Sequence, residues 1–205
     1  MIDIFSRTYR KILQMWWNAS GHIYLRAKGV QIGKNVKLYG LPIISRHPNS
    51  EIIIAPNCVL CSDSRFTDLG VNHSVIIRTL REGARIEIGH DSGLSGTSIC
   101  STKSISIGSG CLMGANVVIA DTDFHPIFST NRRYDKDIPD SCMQSIEIGR
   151  NVFIGESAHI LKGSKIGENS VIGAGSVVTG QIPANSIWAG NPVRHIKELP
   201  LARRS

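Results

Sequence analysis

Apolar residues recur at every sixth position through the last third of the chain. In the stretch IEIGRN-VFIGES-AHILKG-SKIGEN-SVIGAG-SVVTGQ the aliphatic side chains on this spacing are Ile148, Ile154, Ile160, Ile166, Ile172 and Val178. Four residues after each of the first five comes a small or β-branched residue: Val152, Ala158, Ser164, Ser170 and Ser176. A fixed six-residue period is typical of a parallel β-helix, in which three hexads make one triangular turn. We therefore predict an all-β coil whose interior holds these aliphatic side chains.

The same period continues, less regularly, toward the N-terminus. Ile32 with Val36 and Leu38 starts it; the later six-residue steps join Ile54, Leu60 and Phe66, then Ile88, Leu94 and Cys100, and, after a slip of one residue, Ile107, Met113 and Ile119. At about 18 residues a turn, this predicts roughly seven coils. It also places Cys100 inside the coil, as a buried thiol.

The first residues have a different period. Apolar residues at three-, four- and seven-residue spacing predict a helix over residues 2–27, ending near Gly29: Phe5, Tyr9, Ile12, Leu13, Trp16 and Ile23. Arg7, Arg10 and Lys11 lie beside this stripe. The stripe either packs on the coil or a neighbouring subunit, or rests on an anionic bilayer as a peripheral contact. We divide the chain into a helical segment (1–28), a β-helix domain (29–197) and a basic tail (198–205).

One segment interrupts the coil. After Ile119 come about 25 residues without the repeat, ADTDFHPIFSTNRRYDKDIPDSCMQS, and the period resumes at Ile148. Loops of this length inside a compact domain usually carry function. We therefore expect the chemistry in the excursion over residues 121–145.

Composition narrows the function classes. The formal charge of +7 suits an anionic ligand or an acidic membrane surface, and we expect no nucleic acid partner because no nucleic-acid-binding motif appears. Five cysteines include one C-x-x-C pair without a second, so a zinc site is not predicted. An odd cysteine count without a signal peptide or an apolar membrane span favours a reduced, cytoplasmic protein.

Three features together resemble a known family: the hexads, the DTDFHP segment and the ending IPANSIWAGNPVRHIK. They resemble the left-handed β-helix acyltransferases of the hexapeptide-repeat superfamily, most of all the galactoside, maltose and lipopolysaccharide or capsule O-acetyltransferases. The resemblance implies a left-handed coil, a homotrimer with its sites in clefts between subunits, and acetyl-CoA as acyl donor without a metal. It implies transfer of acetyl to a hydroxyl of a sugar or glycan precursor.

The resemblance also assigns the catalytic group. His125, just before a Pro at the base of the excursion, matches the family's catalytic histidine. An imidazole that titrates near neutrality can take the proton of a sugar hydroxyl as it attacks the thioester, so we expect direct transfer in a ternary complex. Asp121 or Asp123 would orient the ring through its other nitrogen.

Further positions follow from the same resemblance. The cofactor-binding residues it implies are Gly155, Glu156, Ala174, Thr179, Arg194 and Lys197, the last two for the coenzyme A phosphates. Galactoside acetyltransferases hold the sugar with an Asn about thirty residues before the catalytic His, where this chain has GLSGTSI and offers Ser95 and Thr97. Arg132, Arg133 and Tyr134 are candidates for recognising an acidic sugar or a phosphate.

Three alternatives remain at this stage. A γ-type carbonic anhydrase would need a His-x4-His pair, which the seven histidines do not form. A non-catalytic scaffold in a polysaccharide machine has no use for a protruding loop with a candidate base. An acyltransferase for an amino-sugar or an antibiotic shares the coil and the base, and the sequence barely separates it from an O-acetyltransferase.

Overall fold

The computed structural model describes residues 2–135 and 138–200, with side chains from residue 8 onward. A helix, α1 (Ile2–Ala27), precedes a coil of short parallel strands that form three sheets. Sheet A contains Gln31–Ile32, Glu51–Ile54, Arg85–Ile88, Ser104–Ile107, Ile146–Ile148, Lys165–Ile166 and Gln181–Ile182. Sheet B contains Lys37–Tyr39, Val59–Cys61, Gly93–Ser95, Leu112–Met113, Phe153–Ile154, Val171–Ile172 and Ser186–Ala189, with Arg194–Glu198 added antiparallel at its end. Sheet C contains Ile43–Ser45, Ile76–Thr79, Ser98–Ser101, Val118–Ala120, His159–Ile160 and Val177–Val178.

Successive coils stack in register, so that like residues lie above one another. In sheet A, Ile107 pairs with Ile88 on one side and Ile148 on the other. All six aliphatic residues predicted from the C-terminal hexads are buried, and so are the five small residues that follow them. The seven parallel strands of sheet A confirm the prediction of about seven coils. Replacing one of the fully buried isoleucines by Ala would cost about 2–5 kcal/mol, because the stacked neighbours cannot collapse into the gap.

Asparagines shape the corner between sheets A and B. Asn151, Asn169 and Asn185 all have positive φ, a conformation that Asn tolerates better than most residues. Their side-chain amides also bond to one another, with Asn151 Nδ2 and Asn169 Nδ2 each 3.0 Å from the next Oδ1. The polar corner residues thus let the chain turn and tie successive coils together.

The helix covers the open end of the coil. α1 ends as predicted before Gly29, whose φ of 77° ends the helix while Val30 N bonds to Leu25 O. Its contacts use Leu13, Trp17 and Leu25, whereas Trp16 and most of the predicted stripe are exposed. Packing of that stripe on this chain's own coil was therefore the wrong alternative. Phe5 lies outside the described side chains, as do residues 201–205 of the predicted tail.

Two inward positions differ from the prediction. Ile99, with no exposed surface, stacks between Ile77 and Ile119, while Cys100 points outward and is partly exposed. The step from Leu94 to the next inward residue is therefore five residues, and the placement of Cys100 inside the coil was wrong. Register in a stacked coil is set by the neighbouring turns, which a count along the sequence does not include.

Phe66 is not part of the inner ladder either. It lies in a 3-10 turn (Ser64–Phe66) within a first excursion, residues 62–75, that leaves the coil between sheets B and C. Its ring packs against Trp17 and Tyr39, with centroids 5.6 and 5.0 Å away. Ile77 takes the inward position after Leu60. The six-residue step to Phe66 was a coincidence of spacing.

The second excursion, residues 121–145, leaves the coil between sheets C and A. It contains a 3-10 turn, Asp140–Cys142. Over the described part of the chain, no helix is long and apolar enough to cross a membrane.

Candidate active site

Asp121 anchors the start of the second excursion. Its carboxylate is fully buried and accepts four hydrogen bonds of 2.6–2.9 Å. The donors are the hydroxyls of Ser101 and Thr102 and the backbone amides of Thr102 and Lys103. A buried carboxylate with this many donors fixes the backbone that carries it, because each bond to a charged acceptor is strong. Asp121 therefore ties the loop to the preceding coil.

The two arms of the excursion are joined at their base. Thr122 and Met143 form an antiparallel bridge, and Asp123 N donates to Cys142 O at 3.0 Å. The Lys162 ammonium then bonds Asp123 Oδ2 at 2.5 Å and Ser141 O at 3.0 Å, which links both arms to the next coil. Lys162 was not among the residues singled out from the sequence, since a lysine in a repeat corner gives no signal of its own.

His125 lies two residues beyond this base and is exposed. Phe124 before it has a positive φ of 62°, its amide donates to the Thr122 hydroxyl, and Pro126 after it is buried. A residue of this size in the left-handed region is unusual and is held there by its surroundings. The short turn presents the imidazole outward from a fixed backbone.

Neither carboxylate predicted to orient His125 touches its ring. Both oxygens of Asp121 bond within the coil, and the hydrogen bond of Asp123 goes to Lys162. Among the described residues, the His125 ring makes no hydrogen bond with another group of the chain. The geometry therefore gives the two Asp residues contacts that hold the loop beneath the imidazole.

Beyond its base the excursion is exposed. Phe128 is 90% and Tyr134 70% accessible, and Arg132 and Arg133 are exposed as well. The Arg132 guanidinium bonds Ile127 O at 2.7 Å, while Arg133 lies over the Tyr134 ring. The three residues predicted to meet an acidic acceptor are thus together at the tip. Such exposed aromatic surface is typical of a segment that packs on a partner.

The predicted cofactor residues fall into three places. Gly155, Glu156 and Ala174 stack on the corner between sheets B and C, where Gly175 N bonds Glu156 O at 2.8 Å. A Cβ on Gly155 would lie 2.4 Å from Ala174 N, so the stacking itself requires Gly there. Ala174 is exposed. Thr179, also exposed, lies across sheet C, on the edge from which the second excursion leaves.

Arg194 and Lys197 belong to the closing antiparallel strand. Both side chains are exposed, and within the described residues neither forms a salt bridge. Val193 N bonds Val177 O, which ties the strand to the end of sheet C. Arg194 pairs with Ala189 next to the corner of Ala174, and Lys197 pairs with Ile187 toward the other end of that strand. Exposed cations of this kind are suited to a phosphate-bearing ligand.

The predicted acceptor residues share the corner of Gly155 and Ala174, on earlier coils. Ser95 is partly exposed, whereas Thr97 is fully buried and its hydroxyl has no hydrogen-bond partner among the described residues. The structure adds a histidine that the sequence did not suggest. His73 of the first excursion bonds the Ser98 hydroxyl through Nε2 at 2.7 Å.

Within one chain, His125 and the corner of Gly155 and Ala174 flank opposite edges of sheet C. No group of three metal-binding side chains gathers anywhere in the described residues. Burial raises the pKa of four cysteine thiols, which favours their neutral, unreactive form: Cys58, Cys61, Cys100 and Cys111.

The chain is similar to known acetyltransferases in sequence and in fold. Residues 145–180 match the family described as bacterial transferase hexapeptide, six repeats. The galactoside O-acetyltransferase of Escherichia coli (strain K12) is 38% identical over 57% of this chain and 56% of its own length. A solved galactoside acetyltransferase in complex with coenzyme A is 37% identical over 56% of each chain, with a TM-score of 0.50. The crystal structure of the polySia-specific acetyltransferase NeuO is 25% identical over 85% of this chain and 78% of its own, with a TM-score of 0.60.

The chain spans about half the length of the curated relatives it matches. The structural similarities extend over most of the described coil and confirm the left-handed parallel β-helix that the resemblance implied. The repeat, the coil and these similarities agree with the resemblance to the hexapeptide-repeat superfamily of left-handed β-helix acetyltransferases, whose family model matches residues 145–180.

Proposed function

We propose that the protein transfers acetyl from acetyl-CoA to a hydroxyl of a sugar or surface-glycan precursor, with His125 as general base. The observation that carries this proposal is the placement of His125. It is an exposed imidazole on an otherwise anchored loop base, in a chain that resembles this superfamily. The named relatives, which acetylate galactosides or polySia, support a sugar acceptor.

The proposed reaction needs two proton transfers, one to the His125 imidazole and one from it. His125 takes the proton of the acceptor hydroxyl as its oxygen forms a bond to the thioester carbonyl carbon. When the tetrahedral intermediate collapses, the C–S bond breaks and the imidazolium returns the proton to the sulfur of coenzyme A. No acetyl-enzyme is required. Asp121 and Asp123 act as positioning residues, through the contacts that hold the loop.

The donor would lie along the corner of Gly155, Glu156 and Ala174. Small residues there leave room for the pantetheine arm, and exposed backbone groups can hydrogen-bond its amides. Arg194 and Lys197 would meet the phosphates, which suits two exposed cations with no acidic partner among the described residues. Thr179 lies on the opposite edge of sheet C, from which the loop leaves, so it would reach the donor only from the copy that contributes His125.

A homotrimer would bring the two halves of the site together. His125 and the donor corner lie on opposite edges of sheet C, so a loop from one copy can reach the corner of the next. The exposed Phe128 and Tyr134 provide apolar surface for such a contact. Arg132 and Arg133 beside them would then face the cleft and favour an acidic or phosphorylated acceptor. Ser95, which is partly exposed, would lie on the opposite wall of that cleft, whereas the buried Thr97 would not reach the acceptor.

We place the reaction in the cytoplasm. All five cysteines are free thiols in the structure, which suits a reducing compartment.

The test is release of free coenzyme A from acetyl-CoA with a panel of glycan acceptors, run on the wild type, His125→Ala and His90→Ala. His90 is an exposed histidine on the corner between sheets A and B, far along the chain from the excursion, and is the matched control. We expect acceptor-dependent release that falls by about 10²–10⁴-fold in His125→Ala alone.

Other outcomes would change the assignment. Release only with amino-sugar or other amine acceptors would make the protein an N-acyltransferase. Absence of release with every acceptor, together with no calorimetric binding of coenzyme A, would favour a non-catalytic scaffold. Equal rates for the wild type and His125→Ala would remove His125 from the mechanism.

A further inference from the structure

The helix α1 has two apolar faces, and the coil covers one of them. Trp17, Gly21 and Leu25 are buried against the coil. Ile12, Trp16 and Ile23 lie on the opposite side of the helix and are 57–70% exposed. In a helix with 3.6 residues per turn, the two sets are roughly half a turn apart. The second face is therefore a continuous apolar stripe, with no partner among the described residues.

The direction of this stripe follows from how α1 is attached. Three of its side chains satisfy backbone groups at the open edge of the first coil. Asn18 Oδ1 accepts from Leu38 N at 2.7 Å and the Tyr24 hydroxyl from Ile44 N at 3.4 Å. His22 Nε2 lies 2.8 Å from Val36 O. Since α1 lies across the end of the coil and closes its free edges, the opposite face points away from that end.

The charge of the protein is concentrated at the same end. Residues 4–50, which form most of α1 and the first coil, contain eight of the 23 Lys and Arg and none of the 16 Asp and Glu. The remaining residues hold 15 basic and 16 acidic side chains, so they are almost neutral. The whole surplus of +7 therefore comes from the end of the molecule that also presents the apolar stripe.

We propose that this end of the coil docks on an anionic lipid surface, with Ile12, Trp16 and Ile23 inserted at the headgroup level. An apolar stripe with flanking Lys and Arg, and Trp at its centre, is the pattern of helices that lie in a membrane interface. Arg26, exposed beside the stripe, and Lys11, exposed further round the helix, would meet the lipid phosphates with their long side chains.

A second copy is the less suitable occupant. Two such ends facing each other would bring like charges together across the contact, with no acidic residue of this segment to balance them. In the trimer of the proposed function, with its coils side by side, all three helices would face one plane. This last step rests on the proposed function, whereas the arguments from the exposed stripe of α1 and from the charge of residues 4–50 do not.

The test is sedimentation of the full chain with vesicles of phosphatidylcholine alone or mixed with phosphatidylglycerol. We expect binding only to the anionic vesicles, falling as salt is added. The variant Ile12→Ser/Trp16→Ser/Ile23→Ser should lose binding by roughly tenfold or more. Lys11→Gln/Arg26→Gln should weaken it by about 25-fold, about fivefold for each charge removed.

The control is Leu69→Ser, which removes an apolar side chain that is 77% exposed but lies in the first excursion. It should bind vesicles as the wild type does. Equal vesicle binding by the wild type and the folded triple variant would overturn the proposal, as would binding independent of anionic lipid. If the triple variant does not fold, Lys11→Gln/Arg26→Gln still decides the outcome. A lower oligomer mass for the folded triple variant by light scattering, with no vesicle binding by the wild type, would identify a second copy as the occupant.

Failure of the membrane-docking proposal can be distinguished from failure of the proposed function. Release of coenzyme A with a water-soluble acceptor does not require lipid. The triple variant should therefore keep its rate in that assay while it loses vesicle binding.

Discussion

The two excursions leave the coil at opposite edges of sheet C, and they differ in what covers them. The first, residues 62–75, is packed within its own chain: the Phe66 ring contacts Trp17 and Tyr39. The second, residues 121–145, is anchored at its base by Asp121 and Lys162, and its aromatic tip is exposed. The first excursion, with its packed Phe66 ring, therefore stabilises the end of the coil. An anchored base with an uncovered tip is suited to place a reactive group against another molecule.

The largest effect on stability should come from the base of the second excursion. Asp121→Ala removes a buried carboxylate and leaves four donors without their acceptor. We expect a loss of about 3 kcal/mol or more in the free energy of unfolding, measured by urea denaturation. Asp135→Ala, an exposed carboxylate in the same excursion, is the control and should change stability little. A loss under about 1 kcal/mol in Asp121→Ala would contradict the anchoring role.

The aromatic residues of the two excursions should respond differently to truncation. Phe66→Ala removes a ring packed between α1 and the coil, and we expect a loss of about 2 kcal/mol in unfolding free energy. Phe128→Ala removes a ring that is 90% exposed and should cost at most about 0.5 kcal/mol within one chain. Its effect should appear in the oligomer instead, as a lower mass on dilution. Equal losses from both variants would remove the distinction between the loops.

Lys162 should affect the position of His125 more than the stability of the coil. Lys162→Met removes the bond to Asp123, whose side chain is only 22% exposed, so we expect a cost of about 1 kcal/mol. The acetyl transfer rate should fall mainly through kcat, because the loop base loosens beneath the imidazole. Lys162→Arg should restore much of the rate. A variant that raises KM alone would show that Lys162 acts on substrate binding.

The smallest effect should appear in the pH dependence of the first excursion. The Arg65 side chain, by its hydrogen bond, lowers the pKa of Asp63 below its ordinary value. A carboxyl whose pKa is lowered by folding contributes stability above its unfolded value, near 4, and that contribution is lost as pH falls through the folded pKa. Asp63→Asn should therefore be less stable than the wild type at pH 7, and the difference should shrink below about pH 4. Urea midpoints at both pH values check this.

The sequence predicted those parts of the fold in which local spacing and stacking agree. From Ile148 onward every turn has the same length, so the hexads identified the inward residues correctly. Earlier, the coil contains a five-residue step at Ile99 and an excursion around Phe66, and both depend on the turns above and below. The faces of α1 could not be distinguished from sequence because both are apolar. The excess of basic residues over positions 4–50 is visible in the sequence, but only the structure shows that the same end of the molecule presents the exposed apolar stripe of α1.

For the site, the sequence showed which reactive residue types are present, and the structure showed which groups they contact. His125 was recognisable from the DTDFHP segment, and its exposure on a fixed turn agrees with a reactive role. The contacts of Asp121 with Ser101 and Thr102, and of Lys162 with Asp123, join residues about 20 to 40 positions apart. No pattern along the chain indicates such pairs. The roles of the individual site residues stay predictions.

The most direct test of the account is subunit mixing between two inactive variants. His125→Ala lacks the base, and Ala174→Tyr fills the donor corner with a side chain that points to solvent. If the site joins the loop of one copy to the corner of the next, co-expression should restore about a quarter of the wild-type rate, since random assembly pairs intact halves at that frequency. If each site lies within a single chain, every chain carries one lesion, and the mixture should stay as inactive as its components.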